Sequence, residues 1–172
     1  MREKGDEMAE PFSELYETYK GSIYSYLLKN TGNPHIAEEL THDTFTKAFK
    51  SLKNFRGESS LKSWLFTIAR NTYLSYCKKS STKFEISNDL IDEEWQDKED
   101  GFKAMEEKAS ISSILSSLSE RDRTFLLLRD QQGMTYVEIA AIIGETEGSV
   151  KVGIYRARKR FKEKYQQEFG GE

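Results

Sequence analysis

The sequence predicts an all-α protein of two small helical domains joined by a flexible acidic linker, the C-terminal domain a helix-turn-helix. Three observations carry this. Proline occurs only as Pro11 and Pro34 in 172 residues, and the long proline-free stretches are rich in residues that favour helices over a sheet. Apolar residues recur at helical spacing in both halves of the chain. Between them, "EISNDLIDEEWQDKED" at 85–100 sets eight acids against the single Lys98, a block that buries little apolar surface and repels itself. The expected organisation is therefore a domain at 10–80, a linker at 81–103 and a domain at 104–168.

In the first half, Phe12, Leu15, Tyr16, Tyr19, Ile23, Tyr26 and Leu27 form one helical stripe. Asn33 followed by Pro34 marks the start of a second helix, because Pro at the first helical position lacks only a donor that has no partner there anyway. Its apolar face is Ile36, Ala37, Leu40, Thr44, Phe45, Ala48, Phe49 and Leu52, and its polar face is Glu38, Glu39, His42, Asp43, Lys47 and Lys50. After the loop "NFRGESS", Ser59 or Ser60 is expected to cap a third helix, and three such helices close a small bundle.

In the second half a helix is expected from about Ala104 to Leu118. Ser119 with Asp122 forms a capping box that opens "RDRTFLLLRDQQ", which Gly133 ends. Thr135 with Glu138 forms a second box before "YVEIAAIIG", and Thr146 caps a last helix running to about Gln167. Ala140 is small where two helices must approach, and Gly144 supplies the positive φ a tight turn needs. Val150, Ile154, Ala157 and Phe161 then form the buried stripe of the last helix. Its opposite face offers Ser149, Lys151, Val152, Tyr155, Arg156 and Lys159. With seven Lys/Arg against two Glu over 147–164, that face suits the phosphates and base edges of a major groove. A merely solvated basic face is the plainer alternative, and the small-residue spacing with both caps weighs against it.

The net charge of −3 opposes DNA binding only in appearance, since the acids are concentrated at 85–100 and the remainder is net positive. The single Cys77 excludes an internal disulfide, and with two histidines as the other soft ligands no metal or cofactor site is expected. The stretch "MREKGDEMAE" lacks a signal-peptide core and no apolar run reaches a membrane span, so a cytoplasmic protein without membrane insertion is expected.

A second nucleic-acid signal lies in "NFRGESSLKSWLFTIARNTYLSYCKK". Phe55, Trp64, Phe66, Tyr73 and Tyr76 alternate with Arg56, Lys62, Arg70, Lys78 and Lys79, a composition suited to stacking on unpaired bases and tracking phosphates. For Trp64 a place in the bundle core is the stronger expectation, whereas Arg70 and Asn71 are harder to explain as core.

Together, "AEELTHDTFTKAFKSLKNFRGESSLKSWLFTIARNTYLSY" and "LLLRDQQGMTYVEIAAIIGETEGSVKVGIYRAR" resemble a bacterial RNA polymerase sigma factor of the extracytoplasmic-function group, over nearly the whole chain. The resemblance implies a non-enzymatic subunit that directs core RNA polymerase to promoter DNA and helps melt the −10 element. It implies core-polymerase contacts at Glu39, Asp43, Phe45 and Lys47, with His42 where relatives more often have Gln. It implies −10 contacts within the set Phe55, Arg56, Ser60, Lys62, Trp64, Arg70 and Asn71, with Phe55 and Asn71 at positions matching a pocket for a flipped base. It implies −35 contacts at Arg129, Ser149, Lys151, Val152, Tyr155 and Arg156. Gly153 departs from the long side chain common in relatives, and is expected to remove a phosphate contact. An anti-sigma factor is an expected partner.

Two other readings fit parts of the sequence only. His42–Asp43 is the pair used by metal-dependent phosphohydrolases, but the further ligands are missing, and a phosphotransfer bundle leaves the C-terminal motif unexplained. A stand-alone helix-turn-helix regulator binding duplex operator DNA requires a ligand pocket or dimer seam that 10–80 does not offer.

Overall fold

The computed structural model describes residues 6–80 and 101–170, with side chains described for 11–80 and 107–170. The all-α expectation holds: the described residues form helices, turns and loops. The predicted linker lies mostly outside the described residues, but its last three positions are helical, because α4 starts at Gly101.

The N-terminal half is three helices. Helix α1 (Asp6–Thr31) ends at Gly32, whose φ of 64° lets its N–H turn back onto the Leu28 carbonyl at 2.8 Å. Helix α2 (Pro34–Ser51) begins as predicted, with the Asn33 side chain accepting from the Ile36 N–H and Pro34 at the first position. A short 3₁₀ turn, Leu52–Asn54, leads into the loop. Helix α3 (Leu61–Ser80) is capped by Ser60, whose Oγ accepts from the Ser63 N–H at 3.1 Å.

The C-terminal half follows the caps read in sequence, with one exception. Helices α4 (Gly101–Ser117) and α5 (Glu120–Leu126) are joined through Ser119, which accepts from the Asp122 N–H. The Asp122 carboxylate does not complete the capping box; both its oxygens accept from Arg160 at 2.9 Å. Helix α5 widens into a π turn over Leu127–Gln131, where the Gln132 N–H donates to the Leu127 carbonyl. Helix α6 (Tyr136–Ile143) carries the full Thr135/Glu138 capping box and ends at Gly144 in the left-handed region. Helix α7 (Glu147–Phe169) is capped by Thr146.

The stripes read from sequence supply much of the core, although Tyr16 and Phe49, which they include, are exposed. Ile23, Tyr26, Leu27, Ala37, Leu40, Leu65, Phe66 and Ala69 are buried in one half, and Phe125, Leu128, Ile139, Val150, Ile154 and Ala157 in the other. The two halves do not stand apart: they share one continuous hydrophobic cluster, α3 packs on α6, and α1 packs on α4. Arg123 is the polar centre of that junction. Only 7% exposed, it donates from Nε to Asn30 Oδ1 at 2.8 Å, from one terminal nitrogen to the carbonyls of Leu115 and Leu118, and from the other to the Tyr73 hydroxyl at 3.2 Å. Its acceptors are all neutral, so its charge is held by dipoles rather than by a counter-ion.

Candidate nucleic-acid interface

On α7 the helical period separates two faces as expected. Val150, Ile154 and Ala157 face the core, and Lys151, Val152, Tyr155, Arg156 and Lys159 are exposed. Val152 is 48% exposed and Tyr155 70%, three residues apart on the same face of the helix. Two other basic residues of α7 have structural partners: Arg158 forms a fork with the Asp130 carboxylate, and Arg160 pairs with Asp122. The basic run of α7 is therefore divided between cations that tie the helix to α5 and its π turn, and cations that face outward.

Gly153 requires a correction. It was expected on the DNA side, yet it is buried, and a Cβ built there falls 2.5 Å from Cε2 and 2.6 Å from Cζ of Phe125. Phe125 is itself fully buried, so glycine at 153 is what lets α5 and α7 approach closely. No phosphate contact is lost there, because the position does not reach the outer face.

Ser149 is exposed, but its Oγ donates to Glu145 Oε2 at 2.6 Å. Glu145 also accepts both arms of Arg121, and the Arg121 bonds, then Ser149, hold its carboxyl below the usual carboxylate range. Arg129 is half-buried; it donates to the Met134 carbonyl at 2.7 Å and lies 4.5 Å from the Tyr136 ring centroid, bracing the turn before α6.

The aromatic segment divides likewise. Phe66 and Tyr73 are core, and burial, followed by a hydrogen bond with Cys77, pushes the Tyr73 phenol well above its ordinary value. Phe55 and Trp64 form a half-buried tilted pair with centroids 5.1 Å apart beside exposed Arg56. Asn71 is exposed on α3. The remaining three candidates meet the C-terminal half. Arg70 donates from Nε and a terminal nitrogen to the two oxygens of Glu120 at 3.1 and 3.2 Å. Lys62 donates to the Gln132 carbonyl at 2.8 Å, and Ser60 donates to Glu138 Oε1 at 3.3 Å.

On α2, Glu39 and Asp43 are exposed with His35, Glu38 and His42 along one shallow cleft. Lys47 is exposed and donates to Thr72 Oγ1 on α3. Phe45 corrects the expectation of a surface contact: it is 4% exposed, edge-on to Tyr16 and Phe12. The accessible aromatic of this helix is Phe49, 49% exposed and edge-on to Phe12 at 5.0 Å. Phe45 and Phe49 lie on one helical face, so periodicity does not separate them; the position of α1 does. Among the described residues no group of His, Cys, Asp or Glu is arranged to hold a metal ion, and no helix is long and apolar enough to cross a membrane.

Comparison with known proteins gives matches over both halves. Residues 15–82 match the family model for Sigma-70 region 2, and residues 108–161 the model for Sigma-70, region 4. Among curated relatives, the ECF RNA polymerase sigma factor SigM of Bacillus subtilis (strain 168) is 31% identical over 153 residues, covering 88% of this chain and 93% of the relative. The RNA polymerase sigma factor YlaC of the same organism is 30% identical, covering 87% of this chain and 88% of the relative. Among solved structures, the sigma factor RpoE in complex with the anti-sigma factor NepR from Bartonella quintana superposes with a TM-score of 0.73 at 26% identity, covering 90% of this chain and 96% of that one.

Proposed function

Because this chain belongs to the extracytoplasmic-function group of RNA polymerase sigma factors, we propose that its two halves read two promoter elements through the residues described above. As a sigma factor it directs core polymerase to specific promoters and helps melt the −10 region for initiation. In the proposed division of labour, residues 10–80 bind core polymerase and the melted −10 element, 81–103 connect, and 104–168 read the −35 element as duplex. The observation that carries the reading is the unburied row Lys151, Val152, Tyr155 and Arg156, backed by the packed stripe Val150, Ile154 and Ala157. A rigid helix with a bare basic and apolar face meets phosphates with its cations and a thymine methyl with Val152.

In the N-terminal half, Asn71, Arg56 and the Phe55–Trp64 pair form the surface for unpaired bases, while Lys62 and Arg70 provide the phosphate contacts. The outward carboxylates Glu39 and Asp43, with Lys47, form the polymerase contact, and Phe45 supports them from beneath. Synthesis belongs to the polymerase, and this chain performs no covalent step. Its working compartment is the cytoplasm, where polymerase and promoter are. An anti-sigma factor is a proposed partner, supported by the RpoE–NepR complex among the similar structures. The stand-alone regulator is not favoured, since it leaves the match of the N-terminal half to region 2 without a role.

The test is run-off transcription with core polymerase on a mapped promoter. Lys151→Ala or Arg156→Ala is expected to weaken use of the −35 element by about 1–3 kcal/mol where the lost contact is bidentate. Asn71→Ala is expected to impair open-complex formation on duplex promoters more than on pre-melted templates. Equal loss on both templates overturns the base-pocket assignment, and absence of any promoter-specific transcript overturns the reading as a whole.

A further inference from the structure

The outward row of α7 continues past the start of the helix. Ser149, Val152 and Arg156 are exposed at spacings of three and four, and Glu145 stands four residues before Ser149, in the turn between α6 and α7. Ser149 Oγ donates to Glu145 Oε2 at 2.6 Å, and the Ser149 N–H donates to Thr146 Oγ1 at 3.2 Å. Both donors of Ser149 are therefore committed, and its side chain offers a partner only the lone pairs of its oxygen. Glu145, whose side chain is 26% exposed, offers the same chemistry. Arg121 donates from Nε to Oε1 at 3.0 Å and from a terminal nitrogen to Oε2 at 2.7 Å. Oε2 thus takes two bonds and Oε1 one, which leaves Oε1 a lone pair to spare.

A lone carboxylate at the leading end of a groove-reading helix repels phosphates, because that end lies nearest the bases. Arg121 changes this. Its two-point fork compensates the charge of Glu145 and fixes the plane of the carboxylate, and its own guanidinium is held 4.8 Å from the Phe125 ring centroid. The groove therefore meets a fixed, charge-compensated acceptor rather than a mobile anion. In the major groove the base atoms that donate are the exocyclic amines of cytosine and adenine, while guanine and thymine present oxygen and nitrogen acceptors. Adenine sets its N7 acceptor beside its amine, where a lone pair opposes the Ser149 oxygen; cytosine presents its amine alone.

We infer that Glu145, together with Ser149, is a specificity-determining residue of the −35 face that accepts a hydrogen bond from the exocyclic amine of a cytosine, with Arg121 as its positioning residue. A guanine or thymine at the same place sets lone pairs against lone pairs and is rejected. The inference rests on the assignment of −35 reading to α7. It gives that face an acceptor for base discrimination beside the cations Lys151 and Arg156, which reach for phosphates and guanine.

The experiment uses the full chain with core polymerase and a pool of fragments of a mapped promoter in which the −35 element is randomised, the bound DNA being sequenced. The parent is expected to favour cytosine at one position about tenfold over guanine or thymine. Glu145→Ala is expected to bring that preference within about twofold while keeping the preferences at other positions. Glu145→Gln is expected to move it toward adenine, because an amide donates to N7 and accepts from the amine together. Ser149→Ala leaves the Arg121 fork in place, so it tests the pair without disturbing the turn, and is expected to reduce the preference in part. Replacing that cytosine by 2-pyrimidinone, which lacks the amine, is expected to weaken binding of the parent about tenfold and to cost Glu145→Ala nothing further. Glu147 is exposed on the first turn of α7, and Glu147→Gln removes a charge there without touching Ser149, so base preferences are expected to stay unchanged. The inference is overturned by a parent without a cytosine preference, by a preference unchanged in Glu145→Ala or Ser149→Ala, by the same loss in Glu147→Gln, or by an equal cost of 2-pyrimidinone in parent and Glu145→Ala. The −35 assignment still stands in those cases if Lys151→Ala and Arg156→Ala weaken binding to the element. If they do not, and the parent shows no preference at any position, that assignment fails and the inference with it.

Discussion

Alanine at position 153 tests the close approach of α5 and α7 directly. In an exposed helix interior, Gly→Ala stabilises by about 1 kcal/mol, because glycine loses more backbone freedom on folding. At Gly153 the new methyl falls 2.5 Å from Phe125 Cε2, so the ring must retreat by about 1 Å to regain ordinary carbon–carbon separation. Phe125 is fully buried, with Arg121 4.8 Å from its centroid on one side, and overpacking of such a core costs about 1–3 kcal/mol. The clash exceeds the propensity gain, and Gly153→Ala is expected to destabilise by about 1 kcal/mol net, lowering the melting temperature by about 2–4 °C at this chain length. Gly148 is the internal control, since it lies on the same helix and a Cβ there meets nothing within 4 Å. Gly148→Ala is expected to be neutral to stabilising, by up to about 1 kcal/mol. In a Phe125→Leu background the ring is gone, and Gly153→Ala is expected to become neutral or stabilising. The assay is urea unfolding followed by far-ultraviolet circular dichroism for the four variants and the parent chain. If Gly153→Ala stabilises the parent as much as Gly148→Ala does, the close approach of α5 and α7 is refuted.

Two further outcomes come from the junction. Arg123→Met removes the donors to Asn30, Tyr73 and the carbonyls of Leu115 and Leu118, and is expected to cost about 2–4 kcal/mol in urea unfolding; an unchanged midpoint contradicts the network. Burial raises the phenols of Tyr26 and Tyr73 well above their ordinary value of 10.0, so the folded state keeps protons that the unfolded chain releases. Their contribution is complete below pH 10 and is lost as pH rises beyond it, by up to about 1.4 kcal/mol per pH unit for each phenol. Lys29, whose ammonium burial and the nearby Lys108 charge depress, acts in the opposite sense just below 10.5, so the net fall is expected above that value. Urea midpoints measured from pH 9 to 11.5 are expected to drop, with a shallower drop in Tyr73→Phe; identical profiles for the two chains contradict the assignment.

Helix starts were legible because a cap is a local device. Asn33, Thr135 and Thr146 each accept from the N–H three residues on, and each sits where a helix begins. The buried stripe of α7 was legible for the same reason, since Val150, Ile154 and Ala157 are placed by the helical period alone. Asp122 shows the limit of local reading: its spacing from Ser119 is that of a capping box, but Arg160 on α7 takes its carboxylate. The π turn at Leu127–Gln131 has no comparable local signature, and Gly133 marked only where it ends.

What the sequence by itself determined was the helical class, the capped order of helices, the face of α7 that points outward and the family. The first three follow from residues near one another in the chain, and the family from two such segments in order. Tertiary structure alone decided that Phe45 is buried and Phe49 accessible, because Phe12 and Tyr16 of α1 both flank Phe45, whereas Phe12 packs edge-on to Phe49 and leaves it 49% exposed. It alone decided that Gly153 faces Phe125 rather than DNA, and that Arg70 meets Glu120 across fifty positions of sequence. A helical period fixes the angle at which a side chain leaves its own helix. It carries no information about which other helix stands there, and in this protein that neighbour determines whether a cation is free for DNA or already bound.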